Sequence, residues 1–478
     1  MATASAPALP SPQRRSEGIA ARRGIVLVLM SLLVPGSAQL AAGNPKVGRL
    51  ALRVWLGLIV LLLVAGLLAL VARSFLIGLY TNPFTLLALQ VAALALGIGW
   101  VLLLVDAWRI ANPGAMSLPG RLLTGLLTLA LVAATGGIAW SASSSFGTQA
   151  HFIETVFGGG GTTQATNGRF NILLMGGDAG KSRDGLRPDS LTVASIDAET
   201  GRTVLLSLPR NLQWAPFPQD NPLHAKYPNG YWCATQECLL NAVYTLAEDN
   251  KKLFPKVKYP GAEATADVVG EILGIDINYW AMIDLSGFRQ LIDAVGGIRL
   301  DITKRVPMGI TYDDKGVFDW IEPGKNVLLD GYHALWFARS RTYSNDYERM
   351  ARQKCVMNAM LRQLNPTTVL TKFNELASAS EKVIATNIPG GEINTMLELA
   401  MKAKTLPMGS VSFTPPLIQP VKPDFAKIKQ VVADRIATSE ALDNPQPASS
   451  TSTSATPKPK KSSSTQTSDL DAVCTVSS

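Results

Sequence analysis

The sequence predicts an α/β domain, a mixed central sheet covered by helices, preceded by an α-helical membrane region. Two observations support this prediction: long apolar stretches fill much of the first 140 of 478 residues, and strand and helix patterns alternate from about residue 169 onwards. Hydrophobic residues make up 47% of the chain and charged residues 17%. This composition is typical of a membrane segment joined to a soluble domain, not of one globular protein.

Three apolar stretches are long enough to cross a hydrocarbon core of ~30 Å, since each supplies about 20 mostly apolar residues. They lie near 51–72, 84–107 and 122–140. A further apolar segment near 24–42 is interrupted by Pro35 and Gly36 and has about half the required length. We predict a membrane region over 24–140, with three spanning helices and one half-length segment that dips in and returns or lies at the interface.

Basic residues predict the orientation of these helices, because they concentrate on the cytoplasmic side. They occur on both sides of the half-length segment and around the loop after the second span: Arg14, Arg15, Arg22, Arg23, Lys46, Arg49, Arg53, Arg109 and Arg121. Residues 1–23 are therefore expected to be a cytoplasmic tail, and everything after about residue 141 to lie outside the cell. Two alternatives remain: a cleaved signal peptide at 14–40, or four spans that leave the later domain in the cytoplasm.

Two stretches rich in small polar residues bound the soluble domain. Residues 141–168 are rich in Ser, Gly and Thr, with four consecutive glycines at 158–161, which predicts a flexible linker. Residues 438–478 consist mostly of Ser, Thr, Pro, Lys and Gln, and we expect this tail to be disordered because it has little apolar surface to bury.

The intervening residues alternate between strand and helix patterns. Strands are predicted at Phe170–Met175, Ser190–Ile196, Thr203–Leu208, Tyr279–Ile283 and Ile298–Ile302, where short apolar or alternating runs end at turn residues. Helices are predicted at Ala262–Leu273, Ser286–Val295 and Asp346–Leu364, with another after Asp330. This order indicates a mixed sheet with helices on its faces.

Acidic and basic residues cluster at the predicted strand ends and on one helix. Asp178 follows Gly176–Gly177 at the end of the first strand, where α/β folds place ligand contacts. Arg187 and Asp189 precede the second strand, and Arg210 follows the third.

Five further polar residues complete the candidate set. Arg339 and Arg341 alternate, so an extended backbone would point both guanidinium groups the same way. Asp346, Arg349 and Gln353 share one helical face, while Arg352 is expected to face outward. Clustered arginines and aspartates favour a polyanion with a divalent metal, because guanidinium groups match phosphate oxygens and Mg²⁺ combines one or two carboxylates with substrate phosphates. Cys–His metal spacing, a GxxxxGKS or GxxxxGKT loop and a GxSxG elbow are absent from the sequence.

The four cysteines, Cys233, Cys238, Cys355 and Cys474, are permitted to form disulfides if the domain lies outside the cell. We expect at least one bridge, and we favour one that joins the region of Cys233 and Cys238 to Cys355. Four cysteines allow three pairings, so the connectivity stays open.

Several segments resemble the LytR-CpsA-Psr family. They run in order across roughly residues 169–435 and include NILLMGGD, GLRPDSLTVASID, TVLLSLPRN and LDGYHALWFARSRTYSNDYERMARQK. The resemblance implies an extracellular catalytic domain over 169–437 with an αβα fold. It implies a phosphotransferase that moves a polyprenyl-pyrophosphate-linked glycopolymer, of the teichoic acid, polysaccharide or arabinogalactan type, onto peptidoglycan and releases polyprenyl phosphate. The three predicted spans, which lie outside the resemblance, would make it a multi-pass protein of the cell membrane.

The resemblance also implies roles for individual residues. Asp178 and Asp189 match the acids linked to Mg²⁺, for which Mn²⁺ is the alternative. The arginines that match pyrophosphate-binding positions are Arg187, Arg210, Arg339, Arg341 and Arg349, and Gln353 and Asp346 match polar pocket residues. The residue after Arg210 is commonly Asp in the family but is Asn211 here, which leaves Asp178 or Asp346 to act as the base beside Arg210. The usual Ser or Thr between Arg187 and Asp189 is Pro188.

The expected partners are the lipid-linked glycopolymer, a peptidoglycan acceptor and membrane lipid. A non-catalytic envelope receptor that binds polyprenyl-phosphate lipids is the alternative function. Nucleic acid is not an expected partner despite the net charge of +8, since the sequence contains no evident helix-turn-helix or basic helix.

Overall fold

The computed structural model describes residues 12–71, 76, 79, 82–157, 163–178, 187–309, 319–363 and 384–443, together with 466, 467, 470 and 474. The chain divides into two compact units, Met1–His151 and Phe152–Ser478.

The first unit is helical. Its helices are α1 (Pro12–Leu33), α2 (Ser37–Ala42), α3 (Pro45–Val71), α4 (Pro83–Ile110) and α5 (Leu118–Phe157). Within the described residues, three helical segments are long and apolar enough to cross a membrane: Pro45–Val71, Phe84–Ala115 and Leu118–Ala150. They coincide with the three predicted stretches. Leucines such as Leu61, Leu62 and Leu63 face outward from α3, an arrangement suited to a lipid environment.

The half-length segment is a pair of helices separated by a sharp turn. Gly36, between α1 and α2, has φ 91°, and a Cβ there would lie 2.6 Å from the carbonyl oxygen of Gly48. Gln39 on α2 donates hydrogen bonds to the Leu103 carbonyl at 2.9 Å and to Asp106 at 3.1 Å. These bonds fasten α2 to α4 and satisfy the buried amide nitrogen of Gln39.

The predicted linker is wrong over 141–157, because α5 continues without a break to Phe157. The serines and threonines that indicated a spacer are accommodated in the helix. The Ser145 hydroxyl donates to the Ser141 carbonyl at 2.8 Å and that of Thr148 to the Ser144 carbonyl at 2.9 Å, a bond that lets these residues occupy helix interiors. The four glycines of the predicted linker lie outside the described residues.

The second unit contains a mixed sheet of seven strands. The strands of the whole unit are β1 (Arg169–Asp178), β2 (Arg187–Asp197), β3 (Thr203–Leu208), β4 (Tyr279–Asp284), β5 (Ile298–Ile302), β6 (Val306–Met308), β7 (Asp319–Ile321), β8 (Gly324–Leu329), β9 (Ile384–Thr386), β10 (Gly409–Ser412) and β11 (Gln466–Thr467). The large sheet has the order β11-β10-β3-β2-β1-β4-β9, with β1 antiparallel to β2 and parallel to β4. Two-stranded sheets pair β5 with β8 and β6 with β7.

Helices cover both faces of the large sheet, as predicted. They are α6 (Ala242–Asp249), α7 (Pro260–Leu273), α8 (Leu285–Ala294), α9 (Gly331–Arg339), α10 (Asp346–Gln363), α11 (Ile393–Ala403) and α12 (Phe425–Ala441). Alternate strand residues point to opposite faces. Leu206 packs in the core that contains residues of α7 and α12, whereas its neighbour Leu205 packs in a second cluster with Met357 and Leu361 of α10.

The C-terminal segment returns to the sheet, so the prediction of a disordered tail over 438–478 is wrong in part. The helix α12 extends to Ala441, and β11 pairs antiparallel with β10. Leu470 is fully buried, and its amide donates to the Met408 carbonyl at 2.8 Å. Cys474 forms a disulfide with Cys355 on α10.

The favoured disulfide pairing is also wrong. Cys233 pairs with Cys238, five residues away, and not with Cys355. The expectation of at least one bridge is confirmed. Because Cys474 lies beyond a stretch that the composition marks as disordered, its sequence position gave no reason to place it beside α10.

Candidate functional site

The ends of three neighbouring strands meet at one edge of the large sheet. Asp178 ends β1 and lies opposite Arg187, which begins β2. Because β3 runs antiparallel to β2, its last residues lie beside the first residues of β2, and Arg210 follows two residues later. The backbone therefore brings Asp178, Asp189 and Arg210 to the same edge, as predicted. The side chain of Asp178 lies outside the described residues.

An alternating chain of charges crosses this edge. The guanidinium of Arg210 donates a short hydrogen bond to Asp189 Oδ1. Arg341 bridges two acids, with Nη2 3.6 Å from Asp189 Oδ2 and Nε 3.4 Å from Asp346 Oδ1. Arg349 Nη2 lies 2.9 Å from the same Asp346 oxygen. The structure thus brings together three predicted arginines and two predicted aspartates, which we call the arginine–aspartate cluster.

Arg349 is the buried member of the arginine–aspartate cluster. Only 2% of its side chain is exposed, and its partner Asp346 lies one helical turn earlier on α10. Within the described part of the chain, Arg349 Nε has no hydrogen-bond acceptor. A buried charge is costly unless it is paired, so Asp346 stabilises this guanidinium.

Positive charge is in excess within the arginine–aspartate cluster. Its three guanidinium groups face two carboxylates, which leaves a net charge of +1. Burial lowers the pKa of Arg341, and the charges of Arg210 and Arg349 lower it further, while Asp189 and Asp346 act in the opposite direction. An anion bound among the arginines would relieve this repulsion, since arginine retains its proton.

A narrow cleft opens beside the arginine–aspartate cluster. It is lined by residues of β2, β3 and α10 and by the arginine after β3: Asp189, Ser190, Leu191, Thr192, Ser207, Leu208, Arg210, Arg349, Met350 and Gln353. Gln353 thus lies at the cleft beside Arg349, as its helical spacing predicted. The hydroxyl groups of Thr192 and Ser207 lie 3.1 Å apart in this wall.

Arg339 and Arg187 lie apart from these ion pairs. Arg339 is the last residue of α9, and its guanidinium lies over the Trp336 ring, 5.1 Å from the centroid. The premise that Arg339 and Arg341 share an extended strand is wrong, because extended backbone begins only at Ser340. Arg187 is exposed at the first position of β2. Their assignment to pyrophosphate binding stays a prediction.

Arg352 does not face outward as expected. Its Nε donates to the Phe337 carbonyl at 2.8 Å, and its Nη2 donates to the Ser340 carbonyl and to Ser344 Oγ. The Phe337 and Ser340 carbonyls lie at the C-terminal end of α9, where helix carbonyls lack partners within the helix. Ser344 lies in the loop that carries Arg341. Arg352 therefore fastens this loop, a role that spacing on its own helix could not reveal.

Lys354 is a second residue that the sequence reasoning missed. Only 3% of it is exposed, and burial lowers the pKa of its amine from 10.5 to about 8. For a lysine within a predicted amphipathic helix, the sequence pattern predicts an exposed position. Its burial arises because α10 is covered on more than one side.

Lys354→Met is expected to raise the free energy of unfolding at pH 7 by roughly 2–3 kcal/mol, because it removes a buried charge without removing much volume. The folded domain loses the Lys354 proton near pH 8 and the unfolded chain near pH 10.5, so this group makes stability rise with pH between those values. Urea unfolding of both proteins at pH 7, 9 and 10.5 should show the difference between them shrinking. A constant difference across this pH range contradicts the assignment.

The acids at the sheet edge fit a metal only with the help of a substrate. In the described residues, no group of three His, Cys, Asp or Glu could hold a metal ion. Asp189 has both oxygens near guanidinium groups, and the β1–β2 register places Asp178 at the neighbouring strand end. Two carboxylates completed by phosphate oxygens and water are what Mg²⁺ accepts.

Comparison with known families and proteins agrees with the quoted motifs. A profile described as the LytR_cpsA_psr family matches residues 144–415, more than half of the chain. The chain is 28% identical to biofilm regulatory protein A of Streptococcus mutans over 225 residues, which is 46% of this chain and 50% of that protein. It is 26% identical to the polyisoprenyl-teichoic acid–peptidoglycan teichoic acid transferase TagV of Bacillus subtilis, over 46% of this chain and 50% of that one.

Two solved structures superpose on this chain with low TM-scores. The crystal structure of B. subtilis TagV has a TM-score of 0.41 and 22% identity, covering 57% of this chain and 98% of that one. An enzyme of the same family from Actinomyces oris has a TM-score of 0.39 and 17% identity, covering 58% and 93%. The match spans about half the length of the curated relatives biofilm regulatory protein A and TagV. From the family profile, this chain belongs to the LytR-CpsA-Psr family.

Proposed function

We propose that this chain is a membrane-anchored phosphotransferase that moves a polyprenyl-pyrophosphate-linked glycopolymer onto peptidoglycan and releases polyprenyl phosphate. The arginine–aspartate cluster carries this proposal, because its three guanidinium groups converge on one sheet edge with an excess of positive charge. Guanidinium groups bind phosphate oxygens in pairs with charge-assisted hydrogen bonds. A pyrophosphate supplies the negative charge that the site lacks.

The names of relatives support the same donor and acceptor. TagV of B. subtilis and TagU of Enterococcus faecalis, which is 27% identical over 224 residues, are both named polyisoprenyl-teichoic acid–peptidoglycan teichoic acid transferases. The reaction that these names describe transfers the teichoic acid of a polyisoprenyl-linked donor to peptidoglycan.

The reaction we propose is an in-line displacement at phosphorus. The oxygen of a peptidoglycan hydroxyl attacks the glycan-linked phosphorus, and the bond from that phosphorus to the polyprenyl phosphate oxygen breaks. Arg210, Arg341 and Arg349 stabilise charge on the phosphoryl and leaving oxygens. Asp178 and Asp346 are the candidates to accept the hydroxyl proton, and Asp346 Oδ1 is shared by Arg341 and Arg349.

Mg²⁺ is proposed as the cofactor. Asp178 and Asp189 would hold it together with the pyrophosphate, and it would neutralise charge on the phosphate oxygens. Because Asp189 is shared with Arg210 and Arg341, metal and arginines would act on the same phosphates.

The direct test uses the full-length protein in lipid nanodiscs with a lipid-linked glycopolymer and purified peptidoglycan. We expect polyprenyl phosphate to appear only when both substrates are present, with glycopolymer bound to peptidoglycan in equal amount. Tight binding of the lipid donor without either product would instead support the receptor function.

The topology is part of the proposal: three spans from a cytoplasmic N-terminus place the second unit outside the cell. A reporter that is active only outside the cytoplasm should therefore be active when fused after Gly160 and inactive when fused after Ala115. The Ala115 fusion is the matched control, since it tests the loop between the second and third spans. Activity at both positions, or at neither, contradicts three spans.

A further inference from the structure

Two exposed tryptophans form a stacked pair in the loop that follows Arg210. The rings of Trp214 and Trp232 lie 5.1 Å apart between centroids, with 14° between their planes. Trp214 is 38% exposed and Trp232 is 44% exposed. Large aromatic side chains usually bury most of their surface, so a stacked pair of exposed tryptophans indicates a surface that contacts another molecule.

A short antiparallel bridge between Ala215 and Tyr231 positions the two tryptophans beside each other. Ala215 lies opposite Tyr231, and the Tyr231 amide donates to the Ala215 carbonyl at 2.8 Å. The same register places Trp214 opposite Trp232. Since neighbouring residues point to opposite faces, Ala215 and Tyr231 enter the hydrophobic core while both indoles point outward.

The loop backbone holds the indoles at a conformational cost. Trp214 has φ 59°, which is rare and strained for a bulky residue. Gly230 has φ 97° and passes so close that a Cβ on it would lie 2.7 Å from the Trp214 carbonyl oxygen. The disulfide between Cys233 and Cys238 closes the segment directly after Trp232. Strain of this kind concentrates at functional sites.

The loop begins and ends at the arginine–aspartate cluster. Trp214 is four residues after Arg210, so their Cα atoms are at most about 14 Å apart. The returning chain is fastened to the same place, because the Asn241 amide donates to the Arg210 carbonyl at 3.1 Å and the Leu240 amide to the Leu212 carbonyl at 2.8 Å. A ligand on the indoles would therefore lie within a few sugar units of the phosphate-binding arginines.

We infer that Trp214 and Trp232 form a stacking platform for a sugar ring of the peptidoglycan acceptor. This inference rests on the proposed transferase function. The C–H face of a pyranose packs on indole, and the ring hydroxyls stay in water at an exposed platform. A membrane surface is the other ligand that tryptophans favour, but residues 211–240 contain two carboxylates, Asp220 and Glu237, against one lysine, Lys226, which disfavours an anionic surface.

Trp214→Asn is the sharpest test, because asparagine tolerates a positive φ and the substitution removes the indole without adding strain. In the full-length protein, the KM for soluble peptidoglycan fragments should rise about 10-fold, while the KM for the lipid donor and the melting temperature stay unchanged. Trp232→Ala should have the same effect on the acceptor. Tyr332→Ala, which removes an aromatic that is 43% exposed on α9, is the control and should leave both constants unchanged.

Isothermal titration calorimetry with the same fragments separates this inference from the proposed function. Weaker binding of fragments by Trp214→Asn supports the platform even if the wild-type protein transfers nothing. Equal binding by the wild-type and variant proteins overturns the platform, even if transfer occurs. Loss of association with anionic lipid vesicles, with fragment binding intact, also overturns it and identifies a membrane contact.

Discussion

Replacing Arg210 with lysine is expected to reduce glycopolymer transfer about 10- to 100-fold, equivalent to roughly 1.4–2.7 kcal/mol of barrier. Lysine keeps the positive charge and can still pair with Asp189, but it loses the planar pair of donors that matches phosphate oxygens. Arg210 is partly exposed at the end of β3, so the melting temperature should change little. Release of polyprenyl phosphate by the protein in nanodiscs gives the rate.

Arg299→Lys is the matched control for this change. Arg299 lies on β5, is exposed and donates to the Asn326 carbonyl at 3.1 Å. Its replacement should leave transfer unchanged. If Arg210→Lys leaves transfer intact and melts the domain at lower temperature, Arg210 is a structural ion-pair residue and the proposed phosphate site is wrong.

Asp346→Ala is expected to lower the free energy of unfolding by about 3 kcal/mol. Arg349 would then remain buried with its main partner removed, and a buried charge without a partner is more costly than an intact pair. Glu348→Ala, an exposed acid on the same helix, should change stability by less than about 0.5 kcal/mol. Urea unfolding of the three proteins measures both effects.

The double variant Asp346→Ala, Arg349→Met separates stability from catalysis. Removing the buried charge together with its partner should recover more than half of the lost stability, because methionine fills the space without needing a partner. Transfer should nevertheless be abolished, since the double variant lacks a phosphate-binding arginine. Recovery of transfer along with stability would show that the pair serves only folding.

Features of the fold and the candidate site that depend on local sequence patterns were predicted correctly from the sequence. Three apolar stretches predicted the helices that are long and apolar enough to cross a membrane, and strand-end positions predicted that Asp189 and Arg210 would meet. Helical spacing correctly placed Asp346, Arg349 and Gln353 together on α10. These predictions succeed because the period of a helix and the edge of a sheet fix where side chains point.

Features that depend on tertiary contacts could not be predicted in this way. Arg352 and Lys354 read as surface residues, yet one binds the carbonyl groups ending α9 and the other is buried. Arg339 and Arg341 are two residues apart, but a helix ends between them, and among the described residues Arg341 is the one that joins the ion pairs. The Trp214–Trp232 pair requires a bridge between residues 16 positions apart that no sequence period indicates.

The return of the C-terminal segment has a practical consequence for work on the soluble unit. A chain shortened after Asp443 would lose β11 and Cys474, which turns β10 into an open edge strand and leaves Cys355 as a free thiol. Open edges pair with other copies, and an unpaired thiol can cross-link them. The last residues thus shield the domain from self-association, and dimers seen only after such a truncation would reflect the cut and not the native protein.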